Sequence, residues 1–261
     1  MCAEEKDKDK YSANALARGL EILTMFNDEH PTLSLAEIAQ RLGVSRTTPF
    51  RLLYTLQSLG YLRQDENTKR YELTPKVLRL GFAYVSNLQF TEIARPYLQW
   101  LRDETGISTH LGILDGHEVV YVARFPARGV AAFNIKIGAR VSAHVSAMGK
   151  CFLAHQTKEN VRDILAEPKL EHVATDEFLA SLEVVRKRGY DDTYGEFSSG
   201  IRSYAAPIID NTGKVIAAMN VIGSEDLYVK ESDILTKVLD AAEKLSASLG
   251  YRNLAKNLLD E

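Results

Sequence analysis

Cysteine is nearly missing from this 261-residue chain: Cys2 and Cys151 are the only two, which rules out a disulfide framework. No apolar run approaches the roughly 18 residues that a membrane span needs, so no membrane partner is expected. The opening MCAEEKDKDK is a charged tail without the apolar core of a signal peptide. Residues 1–11 are read as a disordered tail, and the chain as cytoplasmic. No glycine-rich phosphate loop or dinucleotide fingerprint is present. His110, His117 and His172 are scattered without ligand spacing, so neither cofactor nor metal is expected.

The remaining composition, 45% hydrophobic and 26% charged with a net charge of −3, suits a soluble globular protein of two compact domains. Residues 33–62, LSLAEIAQRLGVSRTTPFRLLYTLQSLGYL, read as two short helices joined at Gly43-Val44-Ser45. Ser34 and Glu37 form a capping box, with Leu33 stapling onto Ile38. Gly43 stops the first helix and Ser45 is placed to cap the second. Leu52, Leu53, Leu56 and Leu59 are expected to point inward, leaving Arg46, Thr47, Thr48 and Arg51 at the exposed start. Pro49 removes a backbone donor and disfavours helical angles at Thr48, which predicts an irregular first turn.

After Gly60, Tyr61–Arg63 and Arg70–Leu73 read as short strands around a polar loop, a β-hairpin wing. Residues 35–79 carry eight Lys/Arg against four acids, while the rest of the chain is acidic. A basic helix–turn–helix with a wing on an acidic body is the footprint of a double-stranded DNA partner. Arg46 or Arg51 can make a bidentate contact to guanine, Ser45, Thr47 and Thr48 suit phosphate or thymine methyl, and Arg63, Lys69 and Arg70 suit phosphates.

A first helix is predicted from Ser12 as cap to Phe26, with Leu16, Leu20, Leu23 and Phe26 inward. Residues 12–74 then make one small domain. Thr74-Pro75 opens a linker helix over 75–88. Residues 89–261 read as an α+β domain. Its expected elements are a helix capped by Thr91 with Ile93, Tyr97, Leu98 and Leu101 inward, and strands over 107–114, 119–124 and 130–135. Helices near 147–155, 158–166 and 176–188 follow, then a hairpin over 204–222 and a last helix over 230–249. Val215 to Val221 is apolar on both faces, so that strand should be central in a covered antiparallel sheet.

The motifs resemble the IclR family of bacterial transcription regulators over nearly the whole chain. The resemblance is carried by the winged helix, the Thr74-Pro75 linker, the turn Val145-Ser146-Ala147-Met148-Gly149-Lys150, the run Gly200-Ile201-Arg202-Ser203-Tyr204-Ala205-Ala206-Pro207-Ile208, and the strand from Gly213 to Gly223. It implies an N-terminal winged helix–turn–helix, a linker helix, and a C-terminal GAF-like effector-binding domain. It also implies a homodimer, often a homotetramer, that is no enzyme. The forms of the turn and of the Gly-Ile-Arg-Ser run are most similar to the aromatic-acid and β-ketoadipate subgroup.

Carried over residue by residue, the effector contacts fall on Ala147, Met148, Thr193, Ser203, Asn220 and Ile222. Gly149 adds close approach, and the N–H groups of residues 147–149 suit a carboxylate. Thr193 stands where some members have an acid, and Asn220 and Ile222 where some have serines. These departures favour a larger, partly apolar organic acid, in keeping with an aromatic ring. Two other readings compete. One is an enzyme with an appended DNA-binding domain, using Cys151 with His155 and His144 or a loop acid cluster of Asp191, Asp192 and Glu196. The other is a redox switch at Cys151.

Overall fold

The computed structural model describes residues 13–85, 88–128, 135–167, 169–170, 172–195, 199–229 and 231–251. Cys2, Ser12, residues 130–134 of an expected strand, and Glu196 lie outside them. The chain divides into two compact units, 1–87 and 88–261.

The first unit holds α1 (Asn14–Thr24), α2 (Leu35–Arg41), α3 (Thr47–Ser58), β1 (Leu62–Gln64) and β2 (Tyr71–Leu73). A 3-10 turn (Pro75–Val77) and α4 (Leu78–Val85) follow. Its core is Ile22, Phe26, Leu33, Ile38, Leu53, Leu56, Leu62 and Tyr71. The capping box forms in full: Ser34 Oγ accepts from Glu37 N–H, and Glu37 accepts from Ser34 N–H. Three expectations are corrected. Leu16 and Leu20 are 64% and 53% exposed. Ile22 is the residue that α1 buries, and at 100° per residue Leu20 sits about 200° away from it. Leu59 is 51% exposed because α3 ends at Ser58 and the chain turns at Gly60, where φ is 75°.

The second unit holds α5 (Gln89–Thr105), β3 (Ser108–Asp115), β4 (Glu118–Phe125), β5 (Arg140–Ser142), α6 (Ala147–Leu153), α7 (Lys158–Ile164) and α8 (Asp176–Arg188). β6 (Asp191–Tyr194), β7 (Ile201–Ile209), β8 (Val215–Ser224), a 3-10 turn (Glu225–Leu227) and α9 (Glu231–Ser248) complete it. The sheet order is β5-β4-β3-β8-β7-β6, antiparallel throughout. β8 is central, as its two apolar faces require. Leu111, Tyr204, Met219 and Val221 face a core shared with Leu98 and Leu101 of α5 and Val238 and Leu245 of α9. Tyr121, Ala205, Ala218 and Ile222 face a second core with α6, α7 and α8.

Thr91 does not cap α5. Leu88 is the cap residue, and the Thr91 hydroxyl, already inside the first turn, bonds back to the Leu88 carbonyl at 2.7 Å. Ile93 is 39% exposed, and Ala94 is buried in its stead. Asp191 and Asp192 are not in a loop; they form edge strand β6. No helix of the described residues is long and apolar enough to cross a membrane.

The packing of α6 against the turn that precedes it rests on Gly149. A Cβ there would lie 2.2 Å from the Ala143 carbonyl oxygen and 2.3 Å from its Cα. Gly149→Ala should therefore cost about 1–3 kcal/mol through overpacking against rigid backbone. The check is a lower unfolding midpoint by fluorescence of Trp100, the one tryptophan, on α5 in the same unit. An unchanged midpoint would show that the turn yields freely.

Candidate functional site

In the first unit, α3 starts in a way the sequence did not suggest. Arg46 is its N-cap residue with helical φ and ψ of −59° and −21°, and it makes no side-chain cap. Ser45 Oγ bonds to Thr47 Oγ1 at 2.9 Å instead of to a backbone N–H, so it does not cap the helix. Pro49 falls in the third helical position, where the missing N–H would have no intrahelical partner in any case. Thr48 N–H bonds to the Ser45 carbonyl at 3.1 Å, a three-residue step of 3-10 type that opens the helix in place of a side-chain cap. Pro49 is buried, which turns Arg46, Thr47 and Arg51 outward and leaves Thr48 half-buried.

Arg51, Thr47, Thr48, Leu52 and Thr55 line a cleft of about 620 Å³ together with Asn14, Ala15 and Arg18 of α1. Among the described residues Arg18, Arg46 and Arg51 form no ion pair. Unpaired guanidinium groups around a helix N-terminus are suited to phosphate and base-edge contacts. Arg18 is absent from the sequence-level candidates, because nothing in α1 by itself says that its helix packs beside the start of α3.

The wing residues divide. Lys69 is exposed at the hairpin tip with φ of 56°, in a turn where Asp65 Oδ1 accepts from Asn67 N–H, Thr68 N–H and the Thr68 hydroxyl. Arg63 pairs with Glu72 across the hairpin while remaining 73% exposed. Arg70 is held differently: its Nε donates to Thr32 Oγ1 at 2.9 Å, and its Nη2 to the Thr32 carbonyl and to Glu37. The Ser34 bonds first and Arg70 second hold the Glu37 carboxyl down to about 2. Arg70 thus ties the wing to the start of α2 instead of presenting its charge to phosphate. The Leu33–Tyr71 bridge runs alongside that tie.

In the second unit, register brings four of the expected effector contacts onto one sheet face. Thr193 pairs with Ser203, and Ser203 with Ile222; Asn220 lies one row on, between Ala205 and His110. α6 packs on that same face, with Met148 Cε 3.1 Å from where a Gly112 Cβ would be. Ala147 and Met148 are buried in its first turn. Gly149 is reassigned: its N–H donates to Ser146 Oγ at 3.0 Å, and its missing Cβ serves the Ala143 contact. It offers a ligand neither.

Sequence reasoning missed three neighbours on this face. His110, Tyr121 and Arg124 come from β3 and β4, with His110 directly opposite both Asn220 and Arg124. His110 Nδ1 is 3.2 Å from Asn220 Oδ1, and Asn220 Nδ2 donates to Ser203 Oγ at 3.2 Å. Tyr121 meets the His110 ring edge-on at 5.3 Å. Burial holds the imidazole down to about 4, with the Arg124 charge adding to that. A fully buried histidine inside the apolar run of β3 was the signal available.

The competing sites fare differently. Cys151 is wholly buried with its thiol on the Ala205 carbonyl, and burial pushes that thiol far above its ordinary range, so no thiolate nucleophile is at hand. His155 donates Nδ1–H to the Cys151 carbonyl at 2.8 Å instead of reaching the sulfur. Asp191 is buried against Arg188 at 2.5 Å, with Lys150 at 3.9 Å, and burial raises its carboxyl to about 6. Among the described residues no three His, Cys, Asp or Glu side chains cluster to hold a metal.

Comparison with known proteins gives a consistent picture. Residues 15–66 match the IclR helix-turn-helix domain, and residues 82–247 the C-terminal domain of bacterial IclR transcriptional regulators. The p-hydroxybenzoate hydroxylase transcriptional activator of Acinetobacter baylyi is 32% identical, covering 97% of this chain and 95% of that one. The Pca regulon regulatory protein of Pseudomonas putida is 32% identical over 79% and 73%. The regulator KdgR of Dickeya chrysanthemi is 28% identical over 97% and 85%. Among solved structures, the transcriptional regulator RHA06195 of Rhodococcus sp. RHA1 superposes with a TM-score of 0.78 at 31% identity, over 92% and 99%.

Two measurements test these assignments. Arg70→Ala should lower the unfolding midpoint of the first unit and open its wing to limited proteolysis, whereas Arg63→Ala should do neither. The second concerns pH. Between its ordinary value near 6.5 and about 4, folded His110 refuses a proton that the unfolded chain accepts, so its contribution falls as pH drops through that window. Asp191 works the other way, stabilising most below 3.8 and losing that as pH rises through about 6. His110→Gln should therefore remove up to roughly 3 kcal/mol of acid sensitivity in Trp100 denaturation curves. Parallel pH profiles for wild type and variant would refute it.

Proposed function

The chain belongs to the IclR family of bacterial transcriptional regulators, and we propose that it reads an operator through α3 under the control of a small organic acid bound in its second unit. The observation that carries the DNA reading is the cleft at the start of α3. Arg18 and Arg51 line it without counter-ions, and Arg46 stands exposed beside it. Arg51, on the exposed face of the first turns, is the base-reading arginine, bidentate to guanine O6/N7. Arg18 and Lys69 flank it as phosphate contacts that set position. Ser45, Thr47 and Thr48 supply short hydroxyl contacts at the helix start, and Arg63 remains exposed enough to reach phosphate once it leaves Glu72.

The protein acts as a homodimer. Two copies present two recognition helices to half-sites about 34–36 Å apart, or a multiple of that. The exposed leucines of α1 and the exposed Leu78, Leu80 and Tyr84 of α4 are the apolar surface in this unit that such an assembly would cover.

The effector occupies the sheet face beneath α6, bounded by Ala147, Met148, Thr193, Ser203, Asn220 and Ile222. This face mixes one apolar wall with a hydrogen-bonded polar row, the combination that suits an organic acid carrying a ring or chain. The two relatives named for p-hydroxybenzoate hydroxylase and the Pca regulon favour an aromatic acid. The ligand acts on DNA by binding the two arrangements of the dimer with different affinity.

Arg51→Ala should abolish protection of the preferred duplex in footprinting while circular dichroism stays unchanged. Arg18→Ala should weaken preferred and random duplex about equally and reduce the salt slope of log Kd by about one. A footprint retained by Arg51→Ala would remove α3 as the reader, and a selective loss of the preferred duplex in Arg18→Ala would make Arg18 a base contact.

A further inference from the structure

His110 is the one fully buried ring on the ligand face that lacks a partner on one side. Its Nε2 has no hydrogen-bond partner among the described residues. Its other nitrogen is committed. Asn220 Nδ2 donates to Ser203 Oγ, so Asn220 Oδ1 is the atom facing His110, and Nδ1 must carry the proton donated to it. Arg124, opposite on β4, discourages a second proton on the ring, and burial does so more strongly. The imidazole is neutral, and Nε2 is left as a bare acceptor.

The orphaned acceptor costs the ligand-free protein free energy, because a buried polar atom without a partner keeps its full desolvation penalty. Its neighbours fix what can relieve it. Tyr121 packs edge-on against the ring, and Asn220 and Ser203 are engaged with one another. Met148 of α6 lies one row along over Gly112, an unbranched side chain that an incoming molecule can displace.

We infer that His110 is a specificity-determining residue of the effector site and that the effector is a hydroxylated organic acid, its hydroxyl donating to Nε2. This rests on the reading of the second unit as an acid-binding domain and adds the group on the ligand that the domain selects. An acid without the hydroxyl fills the same face and leaves Nε2 unpaired, so discrimination comes from the penalty as much as from the bond.

The test uses the full chain and isothermal titration with acids that differ by one hydroxyl: benzoate against 3- and 4-hydroxybenzoate, and propionate against lactate. In at least one set the hydroxylated acid should bind roughly 5- to 150-fold more tightly. His110→Phe, which keeps the ring and removes both nitrogens, should abolish that difference. Should that variant fail to fold, nitrogen NMR of the wild-type imidazole decides. The Nε2 resonance should leave its free-acceptor position when the hydroxylated acid binds, and stay there with the parent acid. Equal affinities within every set, an unmoved Nε2 resonance, or a preference that survives His110→Phe would overturn this inference and leave the acid-binding reading intact. Binding of none of the acids would overturn both.

Discussion

Strand β8 is the constraint on which the second unit depends. It is hydrogen-bonded along its length to β7 on one side and, from Ala218 to Ile222, to β3 on the other. Alternation along an extended chain then sends Ala217, Met219 and Val221 to the core of α5 and α9, and Ala218, Asn220 and Ile222 to that of α6. A slip of one residue would move Asn220 into the wrong core and Met219 onto the face beneath α6. The same register fixes Ser203 and His110 on either side of Asn220's row, so the polar network follows from the ladder. Gly149 lets the first turn of α6 lie directly against the Ala143 backbone of the turn before it. Sheet register thus defines the face before any polar contact is counted.

The first unit depends on a smaller device with the same logic. The Ser34–Glu37 box satisfies the N-terminus of α2, and Glu37 then has an oxygen left to accept Arg70. A local cap becomes a long-range tie, because Arg70 comes from the wing. Arg70 is engaged in this way, whereas Arg18, Arg46 and Arg51 are not. Charge count could not separate these groups. A cation is available to DNA when the fold gives it no acid, and that is a property of packing, not composition.

The elements that were legible in the sequence are those whose signals are local. The capping box, the Gly43 stop, the wing strands, the Thr74-Pro75 start and the Asp210–Gly213 turn all act within a few residues. The α+β character and the central place of β8 could be read from periodicity. The errors came where a partner element decides the outcome. Leu16 and Leu20 form a good stripe, yet α1 is docked through Ile22. Asp191 and Asp192 look like loop acids until β7 pairs with them, and β5 is too short to show a pattern. For the site, the family likeness supplied positions on α6, β6, β7 and β8. It did not supply His110, whose meaning depends on Asn220, 110 residues later in the chain.

The start of the linker is fastened within the first unit. Its bonds run to the three residues that follow α3. Thr74 N–H donates to the Tyr61 carbonyl at 2.9 Å, its hydroxyl to the Gly60 carbonyl at 2.5 Å, and Lys76 Nζ to the Leu59 carbonyl at 2.7 Å. Lys76 also sits over the Tyr61 ring at 5.2 Å. These contacts occupy the carbonyls of residues 59–61, just past the last turn of α3, where a cation is also favoured by the helix dipole. The turn that ends α3 and the turn that opens the linker are therefore held together as one piece, not joined through a loose loop.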